Sequence, residues 1–199
     1  MLFLVRHAHS DYSPDEKRSL SKPGRLGAQR VADLLERREI SLIVSSPYTR
    51  AIETVQPLAD RLGTSIQLDP DLRERHLSPV PLDDFDRCAE ASWRDFELTY
   101  PGGESNSAAQ GRITRAIRRI AEAASESNVV IASHGNVLAL FLNALDSQVD
   151  YAFSTRMSMP DVYAVELRGE TGSYLRIWTG ATNFELQQTE RAKTESRGA

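Results

Sequence analysis

The chain has 199 residues and a formal charge of −4, with 40% hydrophobic and 26% charged residues. That is enough for one substantial domain with a buried core, and the balance is ordinary for a soluble globular protein. The acidic total argues against a general nucleic-acid binder. The single cysteine, Cys88, excludes an internal disulfide and a cysteine-based metal motif. No apolar run reaches membrane-spanning length, so the expected setting is cytoplasmic and reducing.

Leu2 to Val5 is a short apolar run cut off by Arg6 and His7, the pattern of a buried strand that ends at a site. A polar loop follows from Asp11 to Arg18. Ser21 is the expected N-cap of a first helix, with Pro23 in its first turn and Val31, Leu34 and Leu35 at helical spacing. Leu42-Ile43-Val44 forms a second buried strand that runs into Ser45-Ser46-Pro47. The next helix carries Ile52, Val55, Leu58 and Leu62, and Pro57 inside that stripe is expected to bend or break it. Ile66 and Leu68 mark a short third strand. The charged stretch Leu72-Arg73-Glu74-Arg75-His76-Leu77 comes straight after it.

From Ser78 to Gly103 the pattern is irregular. A helical piece carries Phe85, Trp93 and Phe96, and Phe85, Trp93 and Tyr100 read as lid packing in an excursion over about residues 76–104. It is too short to bury a core of its own. Ser107 and Gln110 are the expected capping box of a helix with Ile113, Ala116, Ile117 and Ile120 on one face. Arg112 to Arg119 reads as the solvent face of that helix, and Arg75, His76, Arg87 and Arg94 as solvated charges. Val129 to Ala132 is the clearest central strand; it ends in Ser133-His134-Gly135-Asn136 and leads into an apolar helix, Val137 to Leu145. Val162 to Leu167 and Tyr174 to Trp178 form a closing strand pair. Residues 1–185 are expected to make a single domain, and the polar residues 186–199 a disordered tail.

Strands alternating with helices predict an α/β fold, a three-layer sandwich whose mainly parallel central sheet carries helices on both faces. Ligands bind such sheets at the carboxyl ends of strands. Arg6-His7, Arg50 and His134 follow three strand ends, and Glu74 follows a fourth. Two arginines and two histidines around one point suit a phosphate group: arginine forks match its oxygens, and a neutral imidazole can attack phosphorus. Glu74 is the candidate acid for the leaving alkoxide, with a plain ion pair to Arg73 or Arg75 as the competing reading. Ser133 beside His134 lacks the Gly-x-Ser-x-Gly elbow of a serine hydrolase, and His7-x-His9 lacks further metal ligands.

Leu4-Val5-Arg6-His7-Ala8-His9-Ser10 resembles the opening motif of the histidine phosphatase superfamily, the phosphoglycerate-mutase-like fold. Further resemblances follow in the family's order: Leu20-Ser21-x-x-Gly24, Ser45-Ser46-Pro47-x-x-Arg50-Ala51-x-x-Thr54, Leu72-x-Glu74, Pro101-Gly102-Gly103-Glu104-Ser105 and Ser133-His134-Gly135. The resemblance implies that His7 is the nucleophile, that Arg6, Arg50, His134 and Ser13 bind the phosphoryl group, and that Glu74 is the proton donor. It also implies a small phosphorylated substrate, no metal or organic cofactor, and neither nucleic acid nor membrane as partner. Ala8 stands where the family commonly has Gly, His9 where Glu is frequent, Ser13 where many members have Asn, and Leu77-Ser78-Pro79 in place of a Gly-containing run. The expected activity is that of a phosphatase-type member, a phosphomonoesterase working through phosphohistidine on His7. The alternatives are a phosphoglycerate mutase and a catalytically silent phospho-ligand-binding domain.

Overall fold

A computed structural model describes residues 1–11, 15–124 and 127–180. In chain order the elements are β1 (Leu2–Arg6), α1 (Lys22–Leu35), β2 (Ile40–Ser45), α2 (Thr49–Leu62), β3 (Ile66–Leu68), a 3₁₀ turn (Pro70–Leu72), α3 (Phe85–Arg94), α4 (Asn106–Ala123), β4 (Asn128–Ser133), α5 (Gly135–Leu145), α6 (Tyr151–Arg156), β5 (Asp161–Arg168) and β6 (Thr171–Arg176). Successive residues of a strand face opposite sides, so a strand that is apolar at every position must be covered twice. Leu2 and Leu4 of β1, with Val129 and Ile131 of β4, enter one core. Phe3 and Val5, with Val130 and Ala132, enter the other. Helices α4 and α5 cover the first face through Ile113, Ile117, Leu138 and Phe141. Helices α1 and α2 cover the second through Val31, Leu35, Val55 and Leu58. The three-layer α/β expectation holds.

The sheet has six strands in the order β3-β2-β4-β1-β5-β6. β1 and β4, β2 and β4, and β2 and β3 pair in parallel, while β5 and β6 run antiparallel at one side. Register then brings the strand ends together: Arg6 lies opposite Ser133, and Ser45 lies opposite both Ala132 and Leu68. The backbone pairing extends one residue further, with His7 N–H donating to the Ser133 carbonyl at 3.0 Å and Ser46 N–H to the Ala132 carbonyl at 2.9 Å. Four loops therefore leave the sheet at one rim.

Several local expectations are corrected. Helix α2 runs unbroken through Pro57. The lost N–H is worth about 1 kcal/mol, and the burial of Val55 and Leu58 beside it is worth roughly 1.5–3 kcal/mol each. The cap of α4 is Ser105, whose hydroxyl accepts from Ala108 N–H at 3.1 Å. Ser107 already lies within the first turn, and the Gln110 amide donates instead to the Leu140 carbonyl and to Asn143 Oδ1 on α5, each at 2.9 Å. Helix α6 was not foreseen; six residues are too few to show a period. Phe85 does not pack: it is exposed at the start of α3. Residues 186–199, expected to be a disordered tail, and Ser13 lie outside the described residues. Among the described residues, no helix is long and apolar enough to cross a membrane.

The largest correction concerns Arg112, read from sequence as solvent-facing. It is buried. Its guanidinium forms a two-pronged pair with Glu104, at 2.8 Å from Nε and 2.7 Å from Nη2, and Nη1 donates to the carbonyls of Asp71 and Arg73 at 2.6 and 3.0 Å. One side chain thus joins the chain entering the 76–104 excursion to the chain leaving it. Gly103 completes the neck, since a Cβ there would overlap the Leu77 carbonyl oxygen, and Glu104 N–H donates to the His76 carbonyl at 2.7 Å. Removing one partner of a buried pair strands the other charge. Arg112→Met is therefore expected to cost about 3 kcal/mol in urea unfolding, whereas Arg119→Met, which removes an exposed pair to Asp69, should barely move the midpoint.

Candidate active site

His7 follows the last residue of β1 and is 5% exposed. Its Nδ1 lies 2.8 Å from the Ala8 carbonyl oxygen. A carbonyl only accepts, so Nδ1 carries the proton and Nε2 keeps its lone pair. The opposite side agrees: Arg50 Nε–H donates to His7 Nε2 at 3.2 Å. The Ala8 N–H donates to Thr54 Oγ1 at 2.8 Å, and Thr54 in turn donates to the Arg50 carbonyl at 2.6 Å. This explains why Thr54 stands one helical turn after Arg50: it ties the His7 loop to the helix that carries the arginine.

Arg6 turns under the start of α5. Its Nη1 donates to the Met157 carbonyl at 2.6 Å. A Cβ on Gly135 would come within 2.8 Å of Arg6 Cζ, so the glycine lets the guanidinium lie against the helix backbone. Arg50 is buried and lies over the Tyr48 ring, 4.8 Å from its centroid. His134, wholly buried, stands edge-on to His7 at 5.2 Å between ring centroids and to Tyr48 at 4.9 Å. Its Nε2 is 2.8 Å from Ser46 Oγ, and Nδ1 has no hydrogen-bond partner among the described residues.

Glu74 sits at the first turn of α5. Oε2 accepts from Asn136 N–H at 3.1 Å, and Oε1 from Val137 N–H at 3.0 Å and Arg75 N–H at 2.8 Å. The positive end of a helix favours a carboxylate there. The competing ion-pair reading does not apply: Arg73 pairs with Asp71 and Glu104, and Arg75, expected to be solvated, is buried with Nη1 on Ser92 Oγ at 2.8 Å. Glu104 does not resemble an acid. Burial pushes its carboxyl up, but the Arg112 hydrogen bonds and charge, with Arg73 and Arg75, outweigh this and leave it below the ordinary range.

The electrostatics are those of cations crowded together out of water. Burial, then the charge of Arg6, pulls His7 well below the usual imidazole value, against the Ala8 hydrogen bond, with Arg50 and Arg18 adding to the fall. His134 falls well below it too, through burial first and then His7, Arg50, Arg18 and Arg6. Burial and Arg18 bring Arg50 down to about 10, against the opposing charge of Glu74. Burial also lowers Arg6, while Glu74 and Asp161 raise it. Glu74 therefore faces the same space as both arginines.

The structure thus joins Arg6, His7, Arg50, Glu74 and His134. His9 is not part of the cluster: its Nδ1 is 2.7 Å from Ser21 Oγ, the cap of α1. The sequence reading missed Tyr48 and Arg18. Tyr48, its phenol pushed up to about 12 by burial and a hydrogen bond to Glu16, lay unmarked inside a quoted motif. Arg18 lies in a loop without periodicity.

Neutral buried histidines make stability depend on pH. The unfolded chain takes up protons near the ordinary value of about 6.5, and the folded chain does not. Stability is then full above that value and is lost as pH falls below it, by up to about 1.4 kcal/mol per pH unit for each histidine. Urea midpoints are expected to fall between pH 7 and pH 5, and His134→Asn should flatten the fall. A midpoint independent of pH over that range would contradict the burial of neutral imidazoles.

Comparison with known proteins places this geometry. Residues 2–194 match the family described as the histidine phosphatase superfamily (branch 1). A glucosyl-3-phosphoglycerate phosphatase of Mycolicibacterium vanbaalenii is 30% identical over 164 residues, 72% of this chain and 73% of the relative. Phosphoglycerate mutase-like protein 4 of Arabidopsis thaliana is 30% identical over 69% of this chain and 67% of its own. The fold of Bacillus stearothermophilus YhfR superposes with a TM-score of 0.73, at 24% identity, over 88% of this chain and 95% of that one. The match spans every strand of the sheet, and the chain belongs to the histidine phosphatase superfamily.

Proposed function

We propose that this chain is a phosphomonoesterase that works through phosphohistidine on His7, its substrate a small phosphate ester. The observation that carries the reading is the state of His7: a neutral imidazole, proton held on Nδ1 by the Ala8 carbonyl at 2.8 Å, lone pair on Nε2. In the first step that lone pair attacks phosphorus and the ester oxygen leaves. Arg6, Arg50 and His134 hold the three equatorial oxygens, where charge accumulates in the transition state. For His134, a Ser46 hydroxyl that donates to Nε2 leaves the proton on Nδ1, the atom offered to phosphate. A phosphate dianion bound beside Glu74 favours the protonated carboxyl over the carboxylate held in the free site, and Glu74 then gives its proton to the departing alkoxide. In the second step it takes a proton from the water that attacks phosphohistidine, so the proton balance closes over the cycle. Ser13 is a further phosphate ligand in this reading.

The catalytic unit is assigned to residues 1–185, with 76–104 as its lid excursion. The chemistry is metal-independent, because Arg6, Arg50 and Arg18 oppose a bound cation and already stabilise the anion. The setting is cytoplasmic, as the lone cysteine implies. The glucosyl-3-phosphoglycerate phosphatases among its relatives support hydrolysis of a small phosphorylated compound.

Release of inorganic phosphate from p-nitrophenyl phosphate in EDTA is the direct test. His7→Ala should reduce kcat by about 10³-fold or more, about 4 kcal/mol of barrier. Retained turnover in that variant would refute the mechanism. Glu74→Gln should cost about 10²-fold on an alkyl phosphate and much less on the aryl ester, whose leaving group needs no proton. With 3-phosphoglycerate and a bisphosphoglycerate primer, an isomerised product in place of free phosphate would assign the chain to the mutases.

A further inference from the structure

Helix α3 lies in the excursion, yet its last turn is built into the main core. Trp93 is buried there, edge-to-face with Phe96 at 5.6 Å. An indole N–H is a donor only, and a buried one needs an acceptor. Trp93 Nε1–H finds Asn136 Oδ1 at 2.9 Å. Asn136 is the residue whose backbone N–H reaches Glu74 Oε2 at 3.1 Å. The neighbouring residue makes a second connection. Ser92 Oγ accepts from Arg75 Nη1 at 2.8 Å, and Arg75 N–H reaches Glu74 Oε1 at 2.8 Å. Ser92 is itself fixed, its hydroxyl donating to the Ala89 carbonyl at 2.7 Å and its carbonyl accepting from Asn106 Nδ2 of α4 at 2.9 Å.

Two consecutive residues of α3 therefore grip the two pieces of chain that meet at Glu74. Ser92 holds the segment that carries the carboxylate. Trp93 holds the helix turn that supplies N–H groups to it. The Arg75 guanidinium is buried although Ser92 is its side-chain partner, a costly arrangement for a residue that only had to cover a surface. We infer that Ser92 and Trp93 are positioning residues: α3 sets the register of Glu74 against the first turn of α5, so that docking of the excursion and placement of the proton donor are one event. This rests on the reading of Glu74 as the acid, and it goes beyond that reading by assigning its placement to two residues 18 and 19 positions further along the chain.

A residue that positions the acid should affect only reactions that need the acid. Trp93→Phe keeps an aromatic ring in the core and removes the N–H. Its kcat on an alkyl phosphate is expected to fall about tenfold more than on p-nitrophenyl phosphate, with KM little changed, as small misplacements of a catalytic group do. In a Glu74→Gln background the extra loss should vanish, because two changes on one pathway are not additive. Equal losses on both esters, or the same loss in the Gln background, would overturn the proposal. If Trp93→Phe does not fold, Asn136→Ala removes the same bond from its other end and is read in the same way. If the wild-type protein hydrolyses neither ester, the enzymatic reading fails by itself. The positioning claim is then decided by the side-chain carboxyl ¹³C resonance of Glu74, assigned with Glu74→Gln: it should move in Trp93→Phe, and an unmoved resonance would overturn the claim.

Discussion

The constraint on which the rest of the site depends is the burial of cationic groups beside one another. Arg6, Arg50, His7 and His134 share a space from which water is largely shut out. Guanidinium keeps its charge under such conditions, because even a pKa brought down to about 10 lies above neutrality. Imidazole does not keep a proton there. The pocket thus sorts its own groups into two fixed positive charges and two neutral rings. That division suits phosphoryl chemistry: the charges meet the equatorial oxygens, and only an unprotonated His7 has a lone pair for phosphorus.

The sheet decides where those charges go and which counter-charges are kept away from them. Arg6 stands opposite Asp161 of β5 in the antiparallel pairing, and a free carboxylate there would neutralise it. Asp161 is instead held by Arg176 Nε at 2.8 Å, by the N–H groups of Ser158 and Val162, and by the Tyr163 hydroxyl. Its hydrogen bonds are thus made on the β5–β6 side of the sheet, while its charge still acts on Arg6. Glu74 is likewise satisfied by backbone N–H groups rather than by either arginine. The arginines keep their outward faces for an anion because the nearby carboxylates are held by other donors.

Much of this was legible in the sequence because strand ends in a parallel sheet are local features. Leu2 to Val5 and Val129 to Ala132 are apolar at every position, and only doubly covered strands look like that. The residues that follow them, Arg6-His7 and Ser133-His134, then fall at the rim by topology alone. What the sequence did not give away were choices between equivalent local signals. Ser105 and Ser107 both offer a hydroxyl before an apolar run, and only the packing of Gln110 against α5 selects Ser105. Arg112 looks like its neighbours Arg115 and Arg119 until Glu104 and two backbone carbonyls are brought to it from 8 to 41 residues away. Tyr48 needed knowledge of which ring would stand beside His134. Pro57 does not break α2, because the core beneath the helix outweighs one lost N–H, and that balance is not visible in the sequence of α2 itself.

The excursion over residues 76–104 shows how a short insertion without a core becomes rigid. Its neck is closed by Arg112 and by the Gly103 contact with the Leu77 carbonyl. Its far end lends Trp93 to the core of the sheet. Between these two anchors Val80 and Phe85 stay exposed. The inner face, which meets Glu74 and α5, is bound by hydrogen bonds whose loss would move a charged group. On the outer side Ser78 bonds its near neighbour Val80, and the Tyr151 hydroxyl donates to the Asp86 carbonyl at 3.2 Å. A change in the last turn of α3 therefore reaches Asn136 and Arg75, the neighbours of Glu74, directly through Trp93 and Ser92.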